Sequence, residues 1–476
     1  MNERSLPVKI ATYLFFIVSL AAPLPSLRAD TLTDYRQSLA AHPVNYVRLD
    51  TRELPGVKVQ RYVLHSQNWS PQDAVRPIRW EHQVDIYLPA AAKSTAALMV
   101  VNNDAGRATS FNEASLARIA LATHTVVVSV SNVPNQPLHY RGNSSPLTED
   151  DSVAYSWKRY LESGDAPLQI PMSASVSQAF RLVKRELSQQ KIAKFIVTGA
   201  SKRGWAAWLA AISDPDVVAV VPFAVDLLNT RAALDHIYRS YGNNWPAAFY
   251  PYYRQQIDQQ IGTDNFARLM RVLDPMAYLR SKAGERLKIK KYVINASGDD
   301  FYTPDNSRFY YPRLPGEKAL RVVANASHEA ILSVAEPSLI AFVNRFQARK
   351  ALPTMVERRQ GKHNLMIHFS GLPEKVIIWR ANNPLARDFR YACGVRYEAF
   401  LPPAMSGNGL NVMLTTPETG WQATFVEATF SDGFVATSQV YITPDEIYPD
   451  AAPSAQGGAC RTLPGRGLTP KTQKAN

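Results

Sequence analysis

Apolar and polar positions change their rhythm along this chain. Between about residues 56 and 90, "VKVQRYVLHS" and "HQVDIYLP" alternate apolar and polar residues, the period of half-buried strands, with 69–77 as the loop between them. Continuous apolar runs follow: "AALMVV" (Ala96–Val101), "TVVVSVS" (Thr125–Ser131), "KFIVTG", "VVAVVPF" (Val217–Phe223), "KKYVINA" (Lys290–Ala296) and "ALRVVANA" (Ala319–Ala326). Such runs belong to parallel strands covered on both faces. Between them, "NEASLARIALAT" and "SASVSQAFRLVKREL" carry a helical period, and the stretch before the second helix reads as a long loop. The alternation predicts an α/β fold with a mostly parallel sheet between helical layers.

Two segments depart from that rhythm. Residues of about 227–285 are mainly helical and rich in aromatic residues, which predicts a lid inserted over the strand ends. Trp245, Tyr250 and Tyr253 are its candidate substrate-binding residues, and core packing accounts for the same aromatics equally well. After "SLIAFVNRFQARKAL", from Pro353 onward, short alternating strands are separated by Gly, Pro and Asn turns with no helical pattern. They predict an all-β, sandwich-like domain over 353–449. The tail, 450–476, is rich in Pro, Gly, Ala and Ser and reads as flexible, apart from a tether at Cys460 that would hold it against the β-rich domain.

The first residues read as a signal peptide rather than as fold. Arg4 and Lys9 precede the apolar stretch Ile10–Ala22, and a cut after Ala29 leaves the α/β domain over 30–352. Leu27 departs from the small residue usual at its position, so an uncleaved anchor is the alternative. No later run is long enough to span a bilayer, so the mature chain has no transmembrane segment and is periplasmic or secreted. The two cysteines, Cys393 and Cys460, then read as a disulfide, with two free thiols as the alternative. A formal charge of +13 favours anionic envelope components as partners, although scattered basic residues serve simple solubility as well. No nucleic-acid motif accompanies the charge.

The candidate chemistry begins at "KFIVTGASKRGWAAWLAAISD". A buried strand turns into a helix at Ser201, between Gly199 and Gly204, which suits a nucleophile elbow despite its G-x-S-x-x-G spacing. The partners of such a serine follow in the order acid, then histidine, after later strands. Asp299 ends the strand in "YVINASGDDFYTP", with Asp300 in reserve, and His328 follows "LRVVANAS". Taken singly, either aspartate is more readily an N-cap or turn residue. The backbone N–H of Lys202 is one candidate oxyanion donor, and the loop from Asn102 and Asn103 to Gly106 is the candidate source of a second. "SHEAI" begins like a zinc motif, but Leu332 occupies the place of the second histidine. No metal or cofactor is predicted.

Several stretches together resemble one family. "VPNQPL", "EDDSVAYSWKRYL", Pro171–Met172, "GASKRGW", "VDLLN", "SGDDFYTPDNSRFY" and "RANNPLARDFR" are similar to the PhoPQ-activated pathogenicity-related proteins, in order, from about residue 45 to 445. The resemblance implies an exported bacterial protein of α/β-hydrolase architecture, linked by its name to regulation under antimicrobial-peptide stress. The family's usual "GDE" reads Gly298-Asp299-Asp300 here, which favours Asp299 as the acid. The elbow spacing also looks like that of glucuronoyl esterases. The leading expectation is an exported serine hydrolase acting on a small-molecule or peptide ester or amide. A non-catalytic binding or signalling protein on the same scaffold and a serine peptidase are the alternatives.

Overall fold

The computed structural model describes residues 31–104, 110–454 and 457–468, so the segment read as a signal peptide lies outside the described residues. Nine strands form the main sheet: β1 (Asn45–Leu54), β2 (Val57–Asn68), β3 (Arg79–Pro89), β4 (Ala96–Val101), β5 (Val127–Val130), β6 (Lys194–Ala200), β7 (Val217–Phe223), β8 (Lys290–Ala296) and β9 (Lys318–Val323). Their spatial order is β1-β2-β3-β5-β4-β6-β7-β8-β9. The six strands from β5 to β9 in that order are parallel, and β1, β2 and β3 join antiparallel at one edge. This is the α/β-hydrolase fold.

Why the parallel strands read as unbroken apolar runs is visible in the two cores. Ala97, Met99 and Val101 of β4 point into one cluster with Val176, Phe180 and Leu209. Leu98 and Val100 point into the other, with Leu116, Ile119, Leu339 and Phe342. Both faces are buried under helices, so no position of β4 can be polar.

Beyond β9 the chain forms two separate antiparallel sheets. One pairs Met355–Gln360, Asn364–Phe369 and Gly409–Met413; the other is built on Lys375–Asn383 and Trp421–Thr429. Their apolar faces meet, and that core continues into the helix-covered face of the main sheet through Phe342. The Val322 N–H donates to Thr437 Oγ1 at 2.9 Å, so the β-rich region covers the flank of β9.

Three features differ from expectation. The "long loop" contains the helix Glu149–Ser163, which has three acidic residues in its first turn and ends at Gly164 with φ 77°. Strand β1 is additional, and it is mostly exposed, with Val47 and Leu49 facing outward. The tail is ordered where it is described. The expected disulfide joins Cys393 to Cys460, and beyond it Thr462–Leu463 pairs antiparallel with Trp245–Pro246 of the lid. Arg466 bonds Asp258 at 2.6 Å, and the Gly262 N–H donates to Leu468 O at 3.0 Å. The glycine that suggested flexibility serves close approach instead: a Cβ at Gly465 would lie 1.8 Å from Asn243 O.

Candidate active site

Strand β6 delivers Ser201 to its corner in a sparsely populated backbone conformation, φ 54° and ψ −127°. Such strain persists only where surrounding structure enforces it. Here the Ser201 N–H donates to Phe223 O at the end of β7 (2.8 Å), and Ser201 O accepts from the Trp205 N–H (2.9 Å). A Cβ on Gly199 would meet the Arg203 backbone at 2.8 Å, and one on Gly204 would meet Gly199 O at 2.7 Å. The two glycines therefore pack strand against helix, which explains why the second stands after Arg203. From Lys202 the helix begins, and its first N–H groups have no intrahelical acceptor.

Lys202 and Arg203 are nevertheless long cations at a buried turn. Both charges are paired by the helix hidden in the predicted loop, although the buried Arg203 Nε has no hydrogen-bond partner among the described residues. Arg203 makes a bidentate pair with Glu149 (2.7 and 3.0 Å), and Lys202 Nζ lies 2.9 Å from Glu149 and 3.1 Å from Asp150. Gln136 donates to Glu149 Oε1 and accepts from its backbone N–H. Burial raises the Glu149 pKa, but Arg203, Lys202 and Gln136 outweigh it and hold the carboxyl well below the ordinary range.

The acid and histidine come from the ends of β8 and β9. Asp299 Oδ2 bonds His328 Nδ1 at 2.8 Å, while its Oδ1 accepts the N–H groups of Phe301 (2.7 Å) and Tyr302 (3.2 Å). That contact leaves Nε2 as the ring nitrogen available for chemistry. Burial pushes the His328 pKa down, but the Asp299 charge and hydrogen bond prevail and raise it above the ordinary value. Asp300 meets the backbone of His328 rather than its ring, and burial, with Asp299 beside it, raises its pKa. Gly298 lies so close to Tyr391 that a Cβ would sit 2.8 Å from it, so the β-rich region buttresses the acid turn directly. A second buried ionic group does the same further out: Arg387 and His236 bond Asp305 at 2.7 and 2.9 Å.

Ser201 and Lys202 line a narrow pocket whose internal cavity volume is about 40 Å³. Trp157, Trp205, Trp245, Phe249, Tyr252 and Tyr253 supply most of its wall, and Phe301 and Tyr302 bring the acid turn to it. The His328 ring packs on Phe301 with centroids 4.6 Å apart. No hydrogen bond joins Ser201 Oγ to His328 among the described residues.

Three of the expected site residues are corrected. Tyr250 is 53% exposed and outside the pocket wall, because its short helix turns it to solvent while Tyr252 and Tyr253 face inward. The Asn102 N–H is spent on Val130 O at 2.8 Å, and the Asn103 N–H on Asn102 Oδ1 at 3.0 Å, so neither backbone amide is left for an oxyanion. Residues 105–109 of that loop lie outside the described residues. Sequence reasoning missed Gln136, Glu149, Asp150 and Asp258. The acidic triplet 149–151 before Val153, Trp157 and Tyr160 at helical spacing was the available signal. The grouping of Asp388, Cys393 and Cys460 is no metal site, since both sulfurs are spent in the disulfide.

Comparison with known proteins gives a match over residues 32–390 to the family described as PhoPQ-activated pathogenicity-related protein. Autocrine proliferation repressor protein A of Dictyostelium discoideum is 27% identical over 425 residues, 81% of this chain and 84% of that protein. Among solved structures, acetyl xylan esterase 1 from a Thermoanaerobacterium species aligns with TM-score 0.43 and 13% identity, covering 66% of this chain and 92% of that one. A glucuronoyl esterase from Solibacter usitatus aligns with TM-score 0.34 and 13% identity, covering 71% and 99%.

Proposed function

The chain belongs to the PhoPQ-activated pathogenicity-related protein family, and from that premise we propose that it is an exported serine hydrolase cleaving an ester or amide. The observation that carries this reading is the buried 2.8 Å bond between Asp299 and His328, beside a pocket walled in part by a strained Ser201. In the proposed reaction His328 Nε2 takes the Ser201 proton as Oγ attacks the acyl carbon. The Lys202 N–H meets the oxyanion, a contact whose loss typically costs about 10²–10³ in rate. Imidazolium, stabilised by Asp299, then returns the proton to the leaving alcohol or amine, and water releases the acid by the same route. Export is supported by the N-terminal pattern and by the disulfide, which persists in oxidising compartments. A link to envelope stress comes from the family name alone, and N-terminal sequencing of the released protein, expected to begin at Asp30, tests the export step.

A fluorophosphonate probe tests the nucleophile. The native protein is expected to label at Ser201 and the Ser201→Ala protein to remain unlabelled; a folded native protein that stays unlabelled refutes the reading. One second reading has support of its own. The Dictyostelium relative is named a proliferation repressor, and Ser201 Oγ makes no hydrogen bond to His328, as suits a binding or signalling protein on a hydrolase scaffold. Catalytic hydrogen bonds often tighten only with substrate bound, so the labelling result, and not the resting geometry, decides between them.

A further inference from the structure

The wall of the pocket beside Ser201 is aromatic, yet three ionisable side chains other than the tyrosines line it, Asp150, Lys202 and Asp258, and Glu149, Arg203 and Arg466 pair with them or beside them. Lys202 lies between Glu149 and Asp150 at 2.9 and 3.1 Å. Asp150 also accepts the Tyr252 hydroxyl at 3.1 Å. Asp258 takes two bonds from Arg466, at 2.6 and 3.1 Å, and that guanidinium stacks 3.6 Å from the Tyr253 ring. With the bidentate Arg203–Glu149 pair, three acids therefore face three bases, each already matched. Asp299 is turned to His328 and to backbone N–H groups rather than into the opening.

A charged ligand group entering here would shed its water and find no free counter-charge, while an uncharged ring or branched chain would meet indole and phenyl faces. We propose that this pocket binds an uncharged aromatic or aliphatic group, so that the substrate is an apolar ester or amide and not an acidic sugar ester or a basic peptide. Arg466, from the far end of the chain, is part of the reason: without it Asp258 would present an open carboxylate to the pocket. The proposal rests on the hydrolase reading only for the word substrate; the binding preference stands apart from turnover.

The test uses the full-length Ser201→Ala protein and three probes of one shape: 4-bromophenylacetamide, 4-bromophenylacetate and 4-bromophenethylammonium. Bromine quenches the tryptophans of the wall, so fluorescence reports binding. The amide is expected to bind at least about tenfold more tightly than either ion, the cost of desolvating an unmatched charge. An ion that binds as tightly as the amide overturns the proposal. Trp245→Phe keeps the packing, and the quenching amplitude should fall; an unchanged amplitude places the probe elsewhere and overturns it too. If Trp245→Phe does not fold, Phe249→Leu replaces it, with an expected loss of at least about threefold in amide affinity, and an unchanged affinity has the same meaning. Failure of the hydrolase reading is seen separately, as a native Ser201 unreactive to fluorophosphonate while the probes still rank by charge.

Discussion

On the elbow side of the pocket, Lys202 and Arg203 are held by carboxylates of a neighbouring helix; on the acid side, Asp299 is held by backbone N–H groups and by the close fit of Gly298 against Tyr391. The first arrangement is ionic and the second is steric and directional. The difference separates support from chemistry. A buried ion pair anchors a helix start well, because removing one partner strands the other. A carboxylate fixed by neutral amides is oriented toward the imidazole, with no second cation bonded to it among the described residues.

That division can be broken by substitution. Asp299→Asn should show the largest effect, a fall in kcat of about 10⁴-fold with the wrong imidazole tautomer favoured. The urea midpoint should barely move, and an unfolded variant would show that Asp299 is support after all. Glu149→Gln should do the reverse and cost about 3–5 kcal/mol of stability, because Arg203 is almost wholly buried and loses its partner. Activity per folded molecule should be largely kept, as urea denaturation and active-site titration would show together. The sign of its pH dependence follows from the depressed Glu149 pKa. The stabilisation is present above the ordinary carboxyl value of 4.5 and is lost only as pH falls through the lower folded value, so the stability gap to native should close only in acid.

Gly298→Ala forces a Cβ to 2.8 Å from Tyr391 and should cost about 1–3 kcal/mol of stability. Because the strain falls on the acid turn, kcat should drop along with it, and a stable, fully active variant would remove the steric half of the comparison. The smallest effect concerns pH and rate. His328 must be neutral to accept a proton, and Asp299 holds its pKa above 6.5, so the acid limb of kcat/KM should have its midpoint above that value. In Asp299→Asn the residual activity should show that limb moved to lower pH.

Legibility in the sequence followed burial. The parallel strands and the Ser201 corner could be read because both faces of the sheet are covered, which forces continuous apolar runs ending at sharp turns. Asp299 and His328 were legible through chain order and strand ends. Strand β1 was not, because as an edge it exposes Val47 and Leu49 and gives no inward face to detect. The helix Glu149–Ser163 was hidden by its own function: its half-buried first turn is acidic, and acid residues usually mark solvent. Only the fold reveals that Lys202 and Arg203 wait on the other side. The tether at Cys460 was legible in the cysteine pair, but the contacts of Thr462–Leu468 with the lid were not, because glycine and proline permit tight contact as readily as disorder.

The clasp between the tail and the lid has a consequence for how the protein comes into being. Asn244 and Gly465 bond at 3.1 Å but stand 221 residues apart. A nascent chain therefore leaves the ribosome with its lid made and its clasp still to come. At about 5–20 residues per second, the interval lasts on the order of ten seconds or more. Throughout it, Trp245 and its neighbours are without their last strand, and the wall beside Ser201 is unfinished. On the proposed export reading, a chain that crosses a membrane before residue 465 is available travels without a complete pocket.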